Sequence, residues 1–173
     1  MKILYYLRKG STMDNLENVF DIKSLTMSIL MTPTVANFKG RVHGGDLLKL
    51  LDQVAYACAS RYCGQYVVTL SVDSVTFKYP IEVGSLVTFL ASVNYTGNSS
   101  LEVGIKVIAE DIHKRTVMHT NSAYFSMVCV DSNGKPAKVP PLELRTPADQ
   151  RRFEEAKKRK EARLSLSKKP KKH

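Results

Sequence analysis

A chain of 173 residues is long enough for one domain with its own core, and a hydrophobic content of 43% is ordinary for a soluble globular protein. The net charge of +10 is unevenly placed, since residues 151–173 hold 11 basic and 3 acidic side chains and leave the remaining body near +2. That asymmetry argues against a uniformly basic nucleic-acid-binding domain and for a solvated basic end, and no apolar run approaches the roughly 20 residues needed to span a bilayer.

At the N-terminus, MKILYYLRKG offers only Ile3 to Leu7 before Arg8 and Lys9, too few apolar residues for a signal-peptide core. Met13 is an equally good start, so residues 1–12 are expected to be dispensable within an N-terminal extension of residues 1–20. Residues 24–31, SLTMSILM, are apolar with partial alternation and end at Pro33, which predicts an edge or terminal strand. A helical pattern follows from about Gly45 to Ser60.

Next come four segments dense in β-branched and aromatic residues: 67–79, 86–95, 101–113 and 116–130. Pro80 with Gly84, then YTGNS, HKR and DSNG punctuate them, so they read as antiparallel strands joined by tight connections. They exceed the usual five or six residues, so the sheet must curve or twist, and the helix at 45–60 is what it can wrap. After Pro140-Pro141 a second helix is predicted over 147–163, with Thr146 as N-cap, Pro147 in the first turn and Asp149 favouring the helix start. The expected organisation is a main domain over 21–145, a C-terminal helix over 146–163 and a disordered basic tail over 164–173.

Cys58, Cys63 and Cys129 are odd in number and lack C-x-x-C spacing, which reads as free thiols in a reducing, cytoplasmic setting with no metal site. In that setting the sequons at Asn94 and Asn98 carry no sugar.

The stretch NFKGRVHGGDLLKLLDQVAYACAS, residues 37–60, poses the chemical question. At about 100° per residue, Asp46, Lys49, Gln53, Tyr56 and Ser60 form a polar stripe, and Leu47, Leu48, Leu50, Leu51, Val54, Ala55 and Cys58 fill the opposite arc. Asp52 falls at the border, either as a rim charge paired with Lys49 or as a partly desolvated functional carboxylate. Gly40, Gly44 and Gly45 permit either a tight turn for packing or a close approach to free amides at a helix start, where an oxyanion would be stabilised.

The order of a strand, N-x-x-G-x-x-H-G-G, a central helix with an aspartate at the end of its second turn, and then long strands including TLSVDSVTF before Pro80 resembles the hotdog-fold acyl-CoA thioesterases of the brain-type acyl-CoA hydrolase group. The likeness covers roughly residues 24–145 and implies an α+β hotdog fold: a long curved antiparallel sheet around a central helix, with a basic C-terminal helix added. It implies hydrolysis of fatty acyl-CoA to free acid and CoA. Asn37 and Asp52 match the functional pair, contributed by opposite subunits, so a homo-oligomer is expected, a dimer or trimer of dimers.

An amide near His43, Gly44 and Gly45 would polarise the thioester carbonyl. Asp52 would activate water or attack, and Asn37 would position the water or the carbonyl. No cofactor is implied beyond the CoA of substrate and product. Lys78, the turn residues Asn98, Ser99 and Ser100, and basic residues of the 151–163 helix are candidates for the CoA moiety, with a plain hairpin loop as the alternative for the turn. His43 is read as orienting its loop.

Because a thiolate leaves readily, one carboxylate and an oxyanion site can suffice, and no G-x-S-x-G elbow is present. A non-enzymatic acyl-CoA sensor would not need Asp52. A nucleic-acid binder acting through KKRKEAR and KKPKKH would want interleaved aromatics, which are missing. A hotdog dehydratase would want a catalytic histidine before a Pro-rich loop.

Overall fold

The computed structural model of the chain describes residues 21–167. Strands β1 (Ser24–Leu30), β2 (Tyr66–Phe77), β3 (Leu86–Thr96), β4 (Ser100–Asp111) and β5 (Thr116–Val130) form one antiparallel sheet in the spatial order β1-β3-β4-β5-β2. Two α-helices, α1 (Gly44–Cys63) and α2 (Pro147–Ser167), complete the described chain, with a 3-10 turn at Pro33–Val35. The strand ends lie within two residues of the sequence-based expectation. Residues 1–20, where the N-terminal extension was expected, lie outside the described residues.

Helix α1 is bounded by local chemistry. The His43 side chain caps its start, Gly64 ends it in the left-handed region at φ 63, and Asp46 and Arg61 complement its dipole. It buries Leu47, Leu51, Val54, Ala55, Cys58, Ala59, Tyr62 and Cys63 against sheet residues including Phe89, Val103, Val107, Phe125 and Met127. Leu48, expected on the apolar arc, stays 38% exposed because it lies beside Asp52 at the edge of the covered face.

One expected connection is corrected. β2 and β3 are not a hairpin: β2 pairs with β5, and β3 pairs with β1 and β4. The hairpins β3-β4 and β4-β5 leave two free edges; β1 takes the one on β3 and β2 takes the one on β5. Its own far side pairs with no strand among the described residues, and Tyr66, Leu70, Val72 and Phe77 on it are 60%, 59%, 44% and 53% exposed.

The β2-β5 ladder carries register shifts between Thr69 and Ser71 and between Val72 and Ser74. Thr69 stands opposite Met127 on the core face, yet Ser71 stands opposite Ser126 on the outer face. Two residues apart in a regular strand would share a face, so the extra residue re-aims Ser71.

Helix α2 begins as expected, with Thr146 Oγ1 accepting from the Asp149 amide at 3.1 Å. It docks on the face of the sheet opposite α1. Along β4, Leu101, Val103 and Ile105 enter the core while Glu102 points the other way, to Arg159. The helix continues four residues past Arg163, so residues 164–167 are helical where a disordered tail was expected; residues 168–173 lie outside the described residues.

Candidate active site

The loop before α1 is built by Asn37. Its side-chain Oδ1 accepts from the Lys39 amide at 2.9 Å and the Arg41 amide at 3.1 Å, and its carbonyl accepts from Gly40 at 3.0 Å. Gly40 takes φ +71 at the tip, which a side chain would strain. With both bonds on Oδ1, the Nδ2 group is left as the outward-facing chemistry of Asn37, a donor and not an acceptor.

His43 Nδ1 accepts from the Gly45 amide at 3.0 Å, so the ring orients the loop. A Cβ at Gly45 would sit 3.1 Å from that nitrogen, tighter than an ordinary contact, so a side chain there would push on the ring by a few tenths of an ångström. The consequence narrows the expected oxyanion position: Gly45 N–H is already satisfied, whereas Gly44 N–H has no acceptor among the described residues. Gly44 borders an open cleft of 260 Å³ with Phe77, Lys78, Tyr79 and Asn121.

Asp52 is exposed in the single chain, and no ion pair to Lys49 forms. Instead Thr69 Oγ1 donates to Asp52 Oδ1 at 2.7 Å, which leaves Oδ2 without a hydrogen bond among the described residues. Sequence reasoning missed Thr69 as a site residue. The available signal was a hydroxyl on the inward row after Val67, facing the helix border where Asp52 falls. A second cleft of 340 Å³ runs from Asp52 and Thr69 past Gln53 and Val68 to Tyr56 and Tyr66, whose rings meet edge-on at 5.9 Å.

Within one chain Asn37 and Asp52 are not brought together. Asp52 lies eight residues beyond Gly44, about 12 Å along the helix axis, and no hydrogen bond joins it to the loop. The CoA candidates are also divided. The Lys78 amide bonds Thr120 of β5, while Ser100 stands opposite Val128 of the same strand, about 26 Å apart at strand rise.

The side chains of Lys78, Asn98, Ser99 and Ser100 carry no hydrogen bond among the described residues, and the carbonyls of residues 98–100 are used by Val139, Cys129 and Gly97. Arg159 and Arg163 of α2, expected to reach CoA phosphates, point inward to Glu102 and Asp73.

Elsewhere, Cys58, Cys63 and Cys129 are free and buried, and burial pushes the Cys58 thiol up to about 12. Among the described residues no group of three or more His, Cys, Asp or Glu side chains could hold a metal ion, and no helix is long and apolar enough to cross a membrane.

Residues 39–116 match the Thioesterase superfamily. The VdlD protein of Helicobacter pylori is 60% identical over 143 residues, 83% of this chain and 82% of that protein. A hexameric acyl-CoA thioesterase solved without ligand superposes at TM-score 0.83, with 31% identity over 87% of this chain and 96% of its own. The acyl-CoA hydrolase of Staphylococcus aureus, solved with butyryl-CoA and CoA, superposes at TM-score 0.78 with 28% identity, covering 84% of this chain and 88% of that one.

That hydrolase was also solved as alanine variants of an asparagine, an aspartate fifteen positions later and a threonine seventeen positions after that. Asn37, Asp52 and Thr69 stand at the same intervals. The chain belongs to the thioesterase superfamily, among its hotdog-fold acyl-CoA thioesterases.

Proposed function

We propose that Asp52 and Asn37 form the working pair of a site completed between two subunits, in a chain that hydrolyses fatty acyl-CoA to free fatty acid and CoA. The observation that carries this reading is the Thr69 to Asp52 bond, which fixes the carboxylate and leaves Oδ2 free to take a proton from water. That water attacks the thioester carbonyl, the C–S bond breaks, and CoA leaves as a thiolate without a dedicated acid. The developing oxyanion is met by Gly44 N–H at the helix start and by Asn37 Nδ2, both donors with no acceptor among the described residues.

The free edge supports two-subunit assembly. Gly44 packs near Phe77 at the end of β2, whereas Asp52 bonds Thr69 toward its beginning. If β2 pairs antiparallel with its copy about a two-fold axis, the Phe77 end of one subunit lies beside the Thr69 region of the other. That brings Asn37 of the partner subunit toward Asp52, and the partner's Lys78 toward the sheet end that carries Asn98, Ser99 and Ser100. A trimer of such dimers is the further assembly we propose, in keeping with the hexameric neighbour. We place the enzyme in the cytoplasm, with free buried thiols in support.

The test is steady-state hydrolysis of a panel of acyl-CoA chain lengths by the wild-type chain and by Asp52→Asn. The variant is expected to lose at least about a hundredfold in kcat while remaining folded and assembled. Single turnover in ¹⁸O-water detects a nucleophile directly: label in the Asp52 carboxylate requires an anhydride opened at the aspartyl carbonyl, whereas a base places the label in the fatty acid alone. Wild-type turnover in a folded Asp52→Asn protein overturns the assignment.

A further inference from the structure

The outer face of the sheet carries an ionic cluster that the reaction chemistry does not use. Asp73 accepts from Ser71 Oγ at 2.6 Å, from Ser126 Oγ at 2.7 Å and from the Arg163 guanidinium, which also contacts Ser126 Oγ. The Asp73 side chain is only 6% exposed, and Arg163 reaches it from α2 across 90 residues of sequence. Burial raises the Asp73 carboxyl, but the bonds from Ser71, Arg163 and Ser126 and the guanidinium charge outweigh it and hold it below the usual carboxylate range. The cluster is thus satisfied as an ion pair, and losing one member would strand a buried charge.

Its placement on β2 is what matters. Ser71 and Asp73 occupy the segment between and within the two register shifts, immediately after Thr69. Without those shifts Ser71 would turn to the core face and the hydroxyl–carboxylate cluster could not form. Thr69 is the residue before the first shift, and its hydroxyl holds Asp52 from the other face. One strand segment therefore links Arg163 on the outside to Asp52 on the inside.

We propose that Arg163 is a positioning residue for the Asp52–Thr69 pair: through Asp73 and Ser126 it pins the double bulge of β2 that aims Thr69 at the carboxylate. This rests on the assignment of Asp52 to the reaction. The C-terminal helix is then part of the catalytic scaffold although it lies on the opposite face of the sheet, and its two inward arginines are occupied there and not by CoA phosphates.

The test is Arg163→Met in the full chain, with kcat and KM measured separately and hydrogen exchange followed on the β2 peptide. Expected are a kcat lower by about ten- to a hundredfold, the scale of a misplaced reacting group, a KM within twofold, and faster exchange over residues 66–77. Arg163→Lys should restore part of kcat, since it returns the charge without the guanidinium fork. In a Thr69→Val background Arg163→Met should lower kcat no further, because the two act through one contact. Should Arg163→Met fail to fold, Ser126→Ala removes one bond of the cluster and is read in the same way.

Unchanged kcat, a loss that multiplies fully with Thr69→Val, or unchanged exchange over β2 would each overturn the proposal. If wild-type protein hydrolyses no acyl-CoA, the functional assignment falls instead, and the exchange measurement still reads the clamp.

Discussion

Helix α1 buries eight side chains between Leu47 and Cys63, none of them charged, whereas α2 fully buries only Ala156 among its described residues and reaches the sheet through Arg159, Lys160 and Arg163. Arg159 bonds Glu102 at 3.0 and 2.8 Å and lies 3.7 Å over the Tyr124 ring, and Phe153 tilts against Tyr95 at 5.1 Å. The two faces of one sheet are thus covered by different physics. Apolar burial is non-directional and tolerates small shifts, while an ionic dock holds only in one register. A device that must fix a strand to a fraction of an ångström is better built from the second, and β2 carries its bulges under that second helix.

The largest effect should come from cutting the apolar side. Leu51 is 0% exposed at the centre of α1, so Leu51→Ala should cost about 2 to 5 kcal/mol, the range for a buried leucine left as a cavity. Denaturant midpoints at fixed protein concentration measure it. A cost under 1 kcal/mol would mean that α1 is not the keystone of the core.

Cutting the ionic side should cost slightly less and behave differently. Glu102→Ala leaves Arg159 facing the sheet without its partner, at about 2 to 3 kcal/mol, below the fully buried range because Arg159 keeps 23% of its surface in water. Replacing both by leucine should recover most of that, since an ion pair and an apolar pair of like volume are often close in stability. Equal losses in the single and double variants would show that shape, not charge, seats α2.

That contrast explains what could be read in advance. The α1 stripe repeats within one helix, and the strands announce themselves through β-branched runs between turns, so the sheet, its central helix and the Asn37 to Asp52 spacing were legible from adjacent residues. The partners of α2 lie 57 and 90 positions away, and nothing near Arg159 or Arg163 distinguishes an inward arginine from a solvated one. The β2 crossover was illegible for a related reason: a turn signal at Pro80 and Gly84 marks the end of a strand but not its next neighbour. Thr69 became a site residue only once the helix was laid against β2.

A smaller effect probes the mouth of α1. His43→Ala removes the side-chain cap on Gly45 and should cost about 1 kcal/mol, typical of a lost N-cap. It also frees a second amide beside Gly44, so activity should fall less than stability alone suggests, and acyl-CoA turnover with a thermal melt on the same sample would separate the two. A loss of a hundredfold in kcat would instead give His43 a part in the chemistry.

The smallest effect lies where α2 begins. Asp149 accepts from Lys23 Nζ at 2.8 Å and from the amides of Thr146 and Arg145 at 3.0 and 3.1 Å, which ties the helix start to the chain just before β1. The Lys23 bond, against a modest opposing effect of burial and with help from Thr146 and Arg145, holds the carboxyl down to about 2. A free aspartate titrates near 3.9, so in acid the unfolded chain takes up the proton first. The stabilisation is therefore whole above about pH 5, shrinks as the pH falls below 4, and is gone only once the pH has passed through about 2. Screening at the molecular surface keeps it to about 1 kcal/mol or less. Asp149→Asn should be less stable than wild type at pH 6 and nearly equal to it only below the folded value, at about pH 1.5, read from denaturation midpoints at both. A difference that survives unchanged at the lower pH would mean that the bonds of the Asp149 side chain to the Thr146 and Arg145 amides, not the Lys23 pair, fix the start of the helix, and that this end of the ionic face carries no charge-dependent hold.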